Sequence, residues 1–395
     1  MDIFGETTLA GLPVKNRIIR SATHEALGQG RPFAAAALIE RYRRLAEGGV
    51  GAIITGYAGV HQTGKAFSNM LILDDDDCIP AFREVTDALA PYGTPLILQL
   101  AHAGGKANPA VTGAAVKAPS GHRYKSGSGR AGELAESEIR TIIASFAAAI
   151  DRARRAGFAA VQLHAAHGYL LSEFLSPALN RRRDAWGGTS ENRFRIIREI
   201  VDRARQSVGD YPIHIKLTAY DNEAGGLRLP EAVRLAGFCQ EASLAAIEVS
   251  CGNDDWFLTV RPPRIPVKAI LAMEPGFRQA SWLKKQLARL LIPRLLKVPA
   301  EIENYNVAAA AAIKAAVDIP VIAVGGIRRL GAIEEIIGQG RADFVSLCRP
   351  FIIEPDLVAR FKAGQTASRC INCNYCLIGV TSGPLKCYYG RIPEC

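Results

Sequence analysis

No stretch of this 395-residue chain stays apolar for long enough to cross a bilayer. Its opening residues, MDIFGETTLAGLPVKNR, carry neither the charged start nor the apolar run of a secretion signal. No GxGxxG follows an early strand-like segment, which weighs against a doubly wound dinucleotide-binding sheet. No RNA- or DNA-binding motif accompanies the formal charge of +10, so the positive balance favours acidic ligands or partners without implying nucleic acid. These absences lead to the expectation of a globular protein of the reducing cytosol. There the nine cysteines are expected to be thiols, metal ligands or cluster ligands rather than disulfides. With 49% apolar residues, the chain can bury a core large enough for one barrel or two ordinary domains.

Eight short apolar segments recur, at residues 17–22, 51–55, 95–100, 159–164, 213–218, 246–250, 320–324 and 343–347. Each reads as a parallel strand buried on both faces, and most are separated by helical patterns such as LIERYRRLAEGG, with Gly48 or Gly49 as the stop. Eight strand–helix units predict a (β/α)8 TIM barrel over residues 1–364, with a long insertion after strand 6 at about 252–306 and a cysteine-rich tail at 365–395. In such a barrel, function gathers where the strands end.

The stretch 157–198 is the most informative. A buried strand releases His164, His167 and Tyr169, then a loop rich in Asn, Arg and Gly leads to a helix opening near Ser190. Two imidazoles and a phenol at one strand exit can fix a polar oxygen and deliver a proton beside it. After strands seven and eight, Gly325, Gly326 and the Cys348-Arg349-Pro350 run suit a phosphate, through close backbone approach and a permanent cationic fork. Gln99 and Lys216 end strands three and five, where an amide and a cation suit the pyrimidine edge and N1 of an isoalloxazine.

The segments VKNRIIRSATHE, LILQLAHAGGK, HAAHGYLLSEFLSPALNRRRDAWGGTSENR and the VGGI…CRP ending resemble the Old Yellow Enzyme family of FMN-dependent oxidoreductases, from about residue 2 to 360. The resemblance implies FMN across the barrel mouth and hydride transfer from NAD(P)H to the C=C bond of an α,β-unsaturated carbonyl compound. It places Ser21, Ala22, Thr23, Tyr57, Gln99 and Lys216 against the flavin, and Gly325, Gly326, Cys348 and Arg349 on its phosphate. His164 and His167 would grip the substrate oxygen, and Tyr169 would donate the proton. His24 stands where some relatives carry a cysteine, so the FMN is expected to be non-covalent, with His24 a substrate contact or second acid.

Two stretches fall outside the simple barrel. From 271 to 300 there are six Lys or Arg against one Glu, and SWLKKQLARLLIPRLLK is both apolar and basic. It reads as a lid, a partner-docking helix or an interfacial membrane helix interrupted at Pro293. As a lid, its Lys284, Lys285 and Arg289 could admit an anionic CoA thioester. In the tail, Cys370, Cys373, Cys376 and Cys387 follow C-x2-C-x2-C-x10-C, a spacing open to a [4Fe–4S] cluster, a zinc ion or inert thiols. The run CIxCNxC is similar to the tails of trimethylamine dehydrogenase and 2,4-dienoyl-CoA reductase. That likeness implies a cluster, and with it an electron-transfer protein as partner and a dehydrogenase or demethylase as the alternative reaction. A non-catalytic electron-transfer subunit is the reading from another class. Cys395 has no assigned role.

Overall fold

The computed structural model describes all residues except 1, 32, 124–128, 222, 254–258, 382 and 393–395; Cys395 therefore lies outside the described residues. Eight parallel strands close on themselves: β1 (Ile18–Arg20), β2 (Ala52–Ile54), β3 (Leu96–Ala101), β4 (Ala160–Ala165), β5 (Ile213–Thr218), β6 (Ile247–Ser250), β7 (Val321–Val324) and β8 (Phe344–Leu347). β8 pairs with β1 through Ser346↔Ile19, and β3 pairs with β4 through Gln162↔Gln99, so the ring has no free edge. This is the (β/α)8 barrel expected from the eight apolar segments, and the closed ring excludes a doubly wound open sheet.

Each strand is buried on both faces and mostly apolar, because one face lines the barrel and the other receives a helix. Inside, Ile19, Ala52, Ile54, Ile97, Ala160, Ala246, Ile322 and Phe344 pack together with Leu9 and Val14. The last two belong to an antiparallel hairpin, Thr7–Leu9 with Leu12–Val14, which plugs the end where the strands begin. The opposite end is left for function. The helix Ala36–Glu47 stops as expected: Gly49 follows it with φ +82°, a conformation that suits a residue without a Cβ.

The helix opening at Ser190 runs Ser190–Val208, with the Thr189 hydroxyl accepting from the Asn192 N–H. The loop before it is a lock of buried polar contacts. Asn180 donates to the Phe174 and Trp186 carbonyls, Arg182 to the Pro119 and Leu134 carbonyls, and Arg193 to the Leu175 carbonyl. The NRR-D-GG-ENR pattern therefore supports the site from below rather than entering it.

Among its described residues the insertion carries the helices Val267–Met273, Pro275–Arg278 and Trp282–Leu295. Pro293 does not break the last of these; the helix continues two residues beyond it. A proline in the final turn removes one backbone donor where little helix remains to be lost. The Val267–Met273 helix packs Ala269 and Met273 against Ile378 of the tail, so insertion and tail support each other.

Candidate active site

A cavity of about 640 Å³ opens at the carboxyl ends of the strands. Ser21, Ala22, Thr23, His24, Tyr57, Gln99, His164, His167, Tyr169, Lys216, Gly325, Gly326, Cys348 and Arg349 all line it. These residues are spread over more than 300 positions of sequence, and it is the closed barrel that brings them to one mouth.

One wall is aromatic. The His164 ring stands 5.2 Å from His167 and 4.9 Å from Tyr169, both edge-on, and the Tyr169 hydroxyl donates to the Tyr57 hydroxyl at 3.1 Å. His24 stacks against Tyr57 and Phe67, at 5.2 and 4.9 Å, and its Nε2 meets Asn69 Oδ1 at 3.1 Å. Burial, joined by the positive charges of Lys216 and Lys106, holds His164 far below the usual imidazole range. His167 is lowered in the same way, with His164 also contributing. Burial pushes the Tyr169 phenol up to about 12. At neutral pH the wall therefore offers uncharged imidazoles and a protonated phenol.

His167 and Gly168 both sit in the left-handed region, at φ +61° and +68°. A Cβ on Gly168 would lie 2.0 Å from Asn253 Oδ1, so glycine is required there. The unusual conformation of His167 is held from two sides. Lys106 Nζ donates to its carbonyl at 2.8 Å, and its Nε2 meets Ser250 Oγ at 2.7 Å. The buried Nδ1 of His164 has no hydrogen-bond partner among the described residues. A buried polar atom left in this state beside a cavity is a place for a ligand oxygen or hydroxyl.

The floor is a polar network. Glu248, fully buried in β6, accepts from Ser21 and Ser346 hydroxyls at 2.7 and 2.6 Å and from Gln162 at 3.0 Å. Lys216 Nζ lies 3.0 Å from the same carboxylate and 2.9 Å from Ser21 Oγ, while Gln99 donates to Gln162 at 2.7 Å. Burial alone would raise the Glu248 carboxyl; the Lys216 cation and the hydroxyl donors overcome it and hold the group below its ordinary range. Gln99 and Lys216, named from sequence as separate flavin contacts, are thus two ends of one chain through Gln162 and Glu248.

On the far side, Gly325 and Gly326 adopt φ +139° and +70°, and a Cβ on Gly326 would come within 2.4 Å of the Ile302 carbonyl. Arg349 is buried and donates to Asn374 Oδ1 at 2.6 Å and to the Asn372 carbonyl at 3.1 Å, and Thr23 Oγ1 meets Cys348 Sγ at 3.0 Å. The tail thereby fixes the arginine expected at the phosphate. Cys370, Cys373, Cys376 and Cys387 border a second, small cavity of about 20 Å³, whose wall also includes Arg349. Cys376 and Arg349 line both cavities. Burial pushes the Cys370 thiol up to about 11 and Cys376 higher still. Among the described residues, no three His, Cys, Asp or Glu side chains gather closely enough to hold a single metal ion, so the metal-ligand expectation for the tail rests on its thiol chemistry and not on a formed site.

Several site residues were not anticipated: Lys106, Phe67, Glu173, Glu248, Tyr305 and Asn306. Glu173, also fully buried, accepts from the Gly105 N–H and so fixes the turn that carries Lys106. Among its described residues the insertion contributes to the mouth through its two ends, Asn253, Thr259 and Val260 at one and Tyr305 and Asn306 at the other; Lys284, Lys285 and Arg289 are absent from the lining. Of the three readings of this segment, lid, partner-docking helix and interfacial helix, the first finds no contact in this structure, since no residue of the helix Trp282–Leu295 lines the cavity.

A closed parallel barrel with a glycine turn after its seventh strand and an arginine after its eighth follows the plan of barrels that bind phosphate at their carboxyl-terminal mouth. The chain belongs to the NADH:flavin oxidoreductase / NADH oxidase family, whose profile matches residues 2–260 and 267–368. It is 33% identical over 383 residues to an NADH oxidase of Thermoanaerobacter brockii, an alignment covering 96% of this chain and 54% of that one. The chain thus spans about half the length of that relative. It is 31% identical over 368 residues to an NADPH dehydrogenase of Bacillus subtilis, covering 92% and 94% of the two chains. The fold matches that of the old yellow enzyme homologue from Zymomonas mobilis with a TM-score of 0.74, at 21% identity over the whole of both chains.

Proposed function

We propose that this protein is an FMN-dependent oxidoreductase that takes hydride from NAD(P)H and reduces the C=C bond of an α,β-unsaturated carbonyl compound. The observation that carries the reading is the convergence of two uncharged imidazoles and a protonated phenol on one cavity wall above the Lys216–Glu248 floor. The residues present fit FMN: Gly325 and Gly326 leave no room for a Cβ, Arg349 offers a buried guanidinium, and Lys216 and Gln99 stand at the floor. When bound, FMN supplies the hydride chemistry.

The protein's own groups do the rest. His164 and His167 hold the carbonyl oxygen by N–H donation, drawing electron density from the alkene. Neutral imidazole serves here because its N–H is free to donate without the cost of burying a cation. Tyr169 holds a proton at its hydroxyl oxygen and gives it to the carbon opposite the one that receives hydride. Tyr57, whose hydroxyl accepts from Tyr169 at 3.1 Å, orients that phenol. Apolar and aromatic walls keep water from the reacting atoms.

A second reading adds a [4Fe–4S] cluster and an electron-transfer partner. It is favoured by four thiols bordering one small cavity that shares Cys376 and Arg349 with the larger one. Four thiolates are the donor set of such a cluster. Both readings meet one experiment: the absorption spectrum of anaerobically purified protein, with iron and acid-labile sulfide assays and turnover of a simple enone. Flavin bands and enone-dependent NAD(P)H oxidation are expected. Protein that takes up no FMN on reconstitution overturns the first reading. Flavin without iron or sulfide overturns the second.

A further inference from the structure

Of the nine large apolar side chains that stand exposed among the described residues, seven fall between Trp282 and Leu296. Trp282 is 72% exposed, Leu283 63%, Leu290 60% and Leu295 73%, all on the Trp282–Leu295 helix of the insertion. Leu283, Leu287, Leu290 and Leu291 recur at helical spacing and form one outward stripe, while Ala288 is the residue that the helix buries against the protein. A stripe of this size is not covered by the barrel, the tail or the mouth of the cavity. Exposed patches of this kind mark an interaction surface.

Its charge says what it meets. Arg278, Lys284, Lys285, Arg289 and Lys297 flank the stripe, Arg294 stands on it four residues after Leu290, and no Asp or Glu occurs from 275 to 300. A two-fold contact between copies would set two such cationic helices against each other with no anion between them, which is costly. A surface that is apolar below and densely anionic above suits both components at once. We infer that the Trp282–Leu295 helix seats this protein on an anionic phospholipid bilayer, with the leucines entering the acyl boundary and the cations at the headgroups. The helix is too short to span the membrane: at 14 residues it is about 21 Å long, against a hydrocarbon core of about 30 Å. It would lie in the interface plane, with its exposed leucines toward the acyl boundary and its cations at the headgroups. Since none of its residues lines the active-site cavity, this inference does not depend on the reading of the chemistry.

The test is flotation of the full chain with vesicles of phosphatidylglycerol and phosphatidylcholine in equal parts, against vesicles of phosphatidylcholine alone. The protein is expected to float with the anionic vesicles, to stay behind with the neutral ones, and to be released by high salt. The fluorescence of Trp282 is expected to shift to the blue on binding, and a Trp282→Phe variant is expected to lose the shift. Leu287→Asp with Leu290→Asp is expected to bring binding to background, and removing Lys284, Lys285 and Arg289 to lower partitioning by about fivefold per cation. Unchanged circular dichroism shows that these exposed substitutions leave the fold intact. Absence of binding to the anionic vesicles overturns the proposal, as does binding that survives the leucine substitutions. A dimer that the same substitutions convert to monomer also overturns it, by assigning the face to a second copy.

Discussion

Tyr169 and Glu248 are both buried at the site, yet they do opposite work with a proton. Burial keeps the Tyr169 hydroxyl protonated to about pH 12, so the acid form is fully present at neutral pH. Tyr169→Phe is expected to leave flavin reduction by NAD(P)H near the wild-type rate and to slow enone-driven reoxidation by about 10²-fold or more, as read by stopped-flow absorbance of the two half-reactions. Tyr57→Phe retains the donor and loses its partner, so a smaller loss in the same half-reaction is expected. Glu248, by contrast, must stay ionised, because Lys216 is buried against it at 3.0 Å. Glu248→Gln leaves that ammonium without its counter-charge and is expected to lower stability by about 3–5 kcal/mol in urea unfolding. The double variant Glu248→Gln, Lys216→Met is expected to lose less than the sum of the single losses, since the second change removes the charge that the first stranded.

The elements that the sequence displayed most openly are those whose residues obey a local rule. The eight strands begin and end within two residues of their apolar segments, because a strand buried on both faces is mostly apolar. The strand exits were legible because polar groups there break that rule, and all fourteen barrel residues named for flavin, phosphate and substrate line one cavity. What stayed hidden was set by pairing across the barrel. Glu248 looks like an intrusion in IEVS until Lys216 of the neighbouring strand is seen beside it, and Lys106 looks like a surface cation until Glu173 is seen holding its turn. The insertion left three readings open for a related reason: a basic, leucine-rich helix carries no local signal of whether it faces the mouth or the solvent. The glycine turn after β7 tests how far an element depends on one backbone position. Gly326→Ala forces a Cβ to within 2.4 Å of the Ile302 carbonyl at φ +70°, so FMN is expected to be lost on gel filtration. Gly331→Ala, in the next helix with nothing within 4 Å, is expected to retain FMN and to gain up to about 1 kcal/mol.

The molecule as a whole is built to keep imidazole neutral. His24, His102, His164, His167 and His214 are all lowered, chiefly by burial, with His24 and His214 at about 4 and His102 at about 3. In the unfolded chain these same groups titrate near 6.5. Above that pH neither state holds the extra proton, and the histidines contribute no pH dependence. As pH falls from about 6.5 towards 4, the unfolded chain takes up protons that the native state refuses. Stability therefore declines with falling pH, by about 1.4 kcal/mol per pH unit for each such histidine. Thermal melts are accordingly expected to show a steep fall of Tm below about pH 6.5, before carboxylate protonation is complete. His214 isolates the effect. It lies fully buried in β5, in register with Gln162 of β4 and outside the lining of the cavity, and neither ring nitrogen has a hydrogen-bond partner among the described residues. His214→Leu removes two unsatisfied nitrogens and one acid-labile group together. It is expected to raise Tm at pH 5 more than at pH 7.5, reducing the slope of Tm against pH by the share of one proton in five. An equal shift at both pH values would mean that His214 is already protonated in the native barrel.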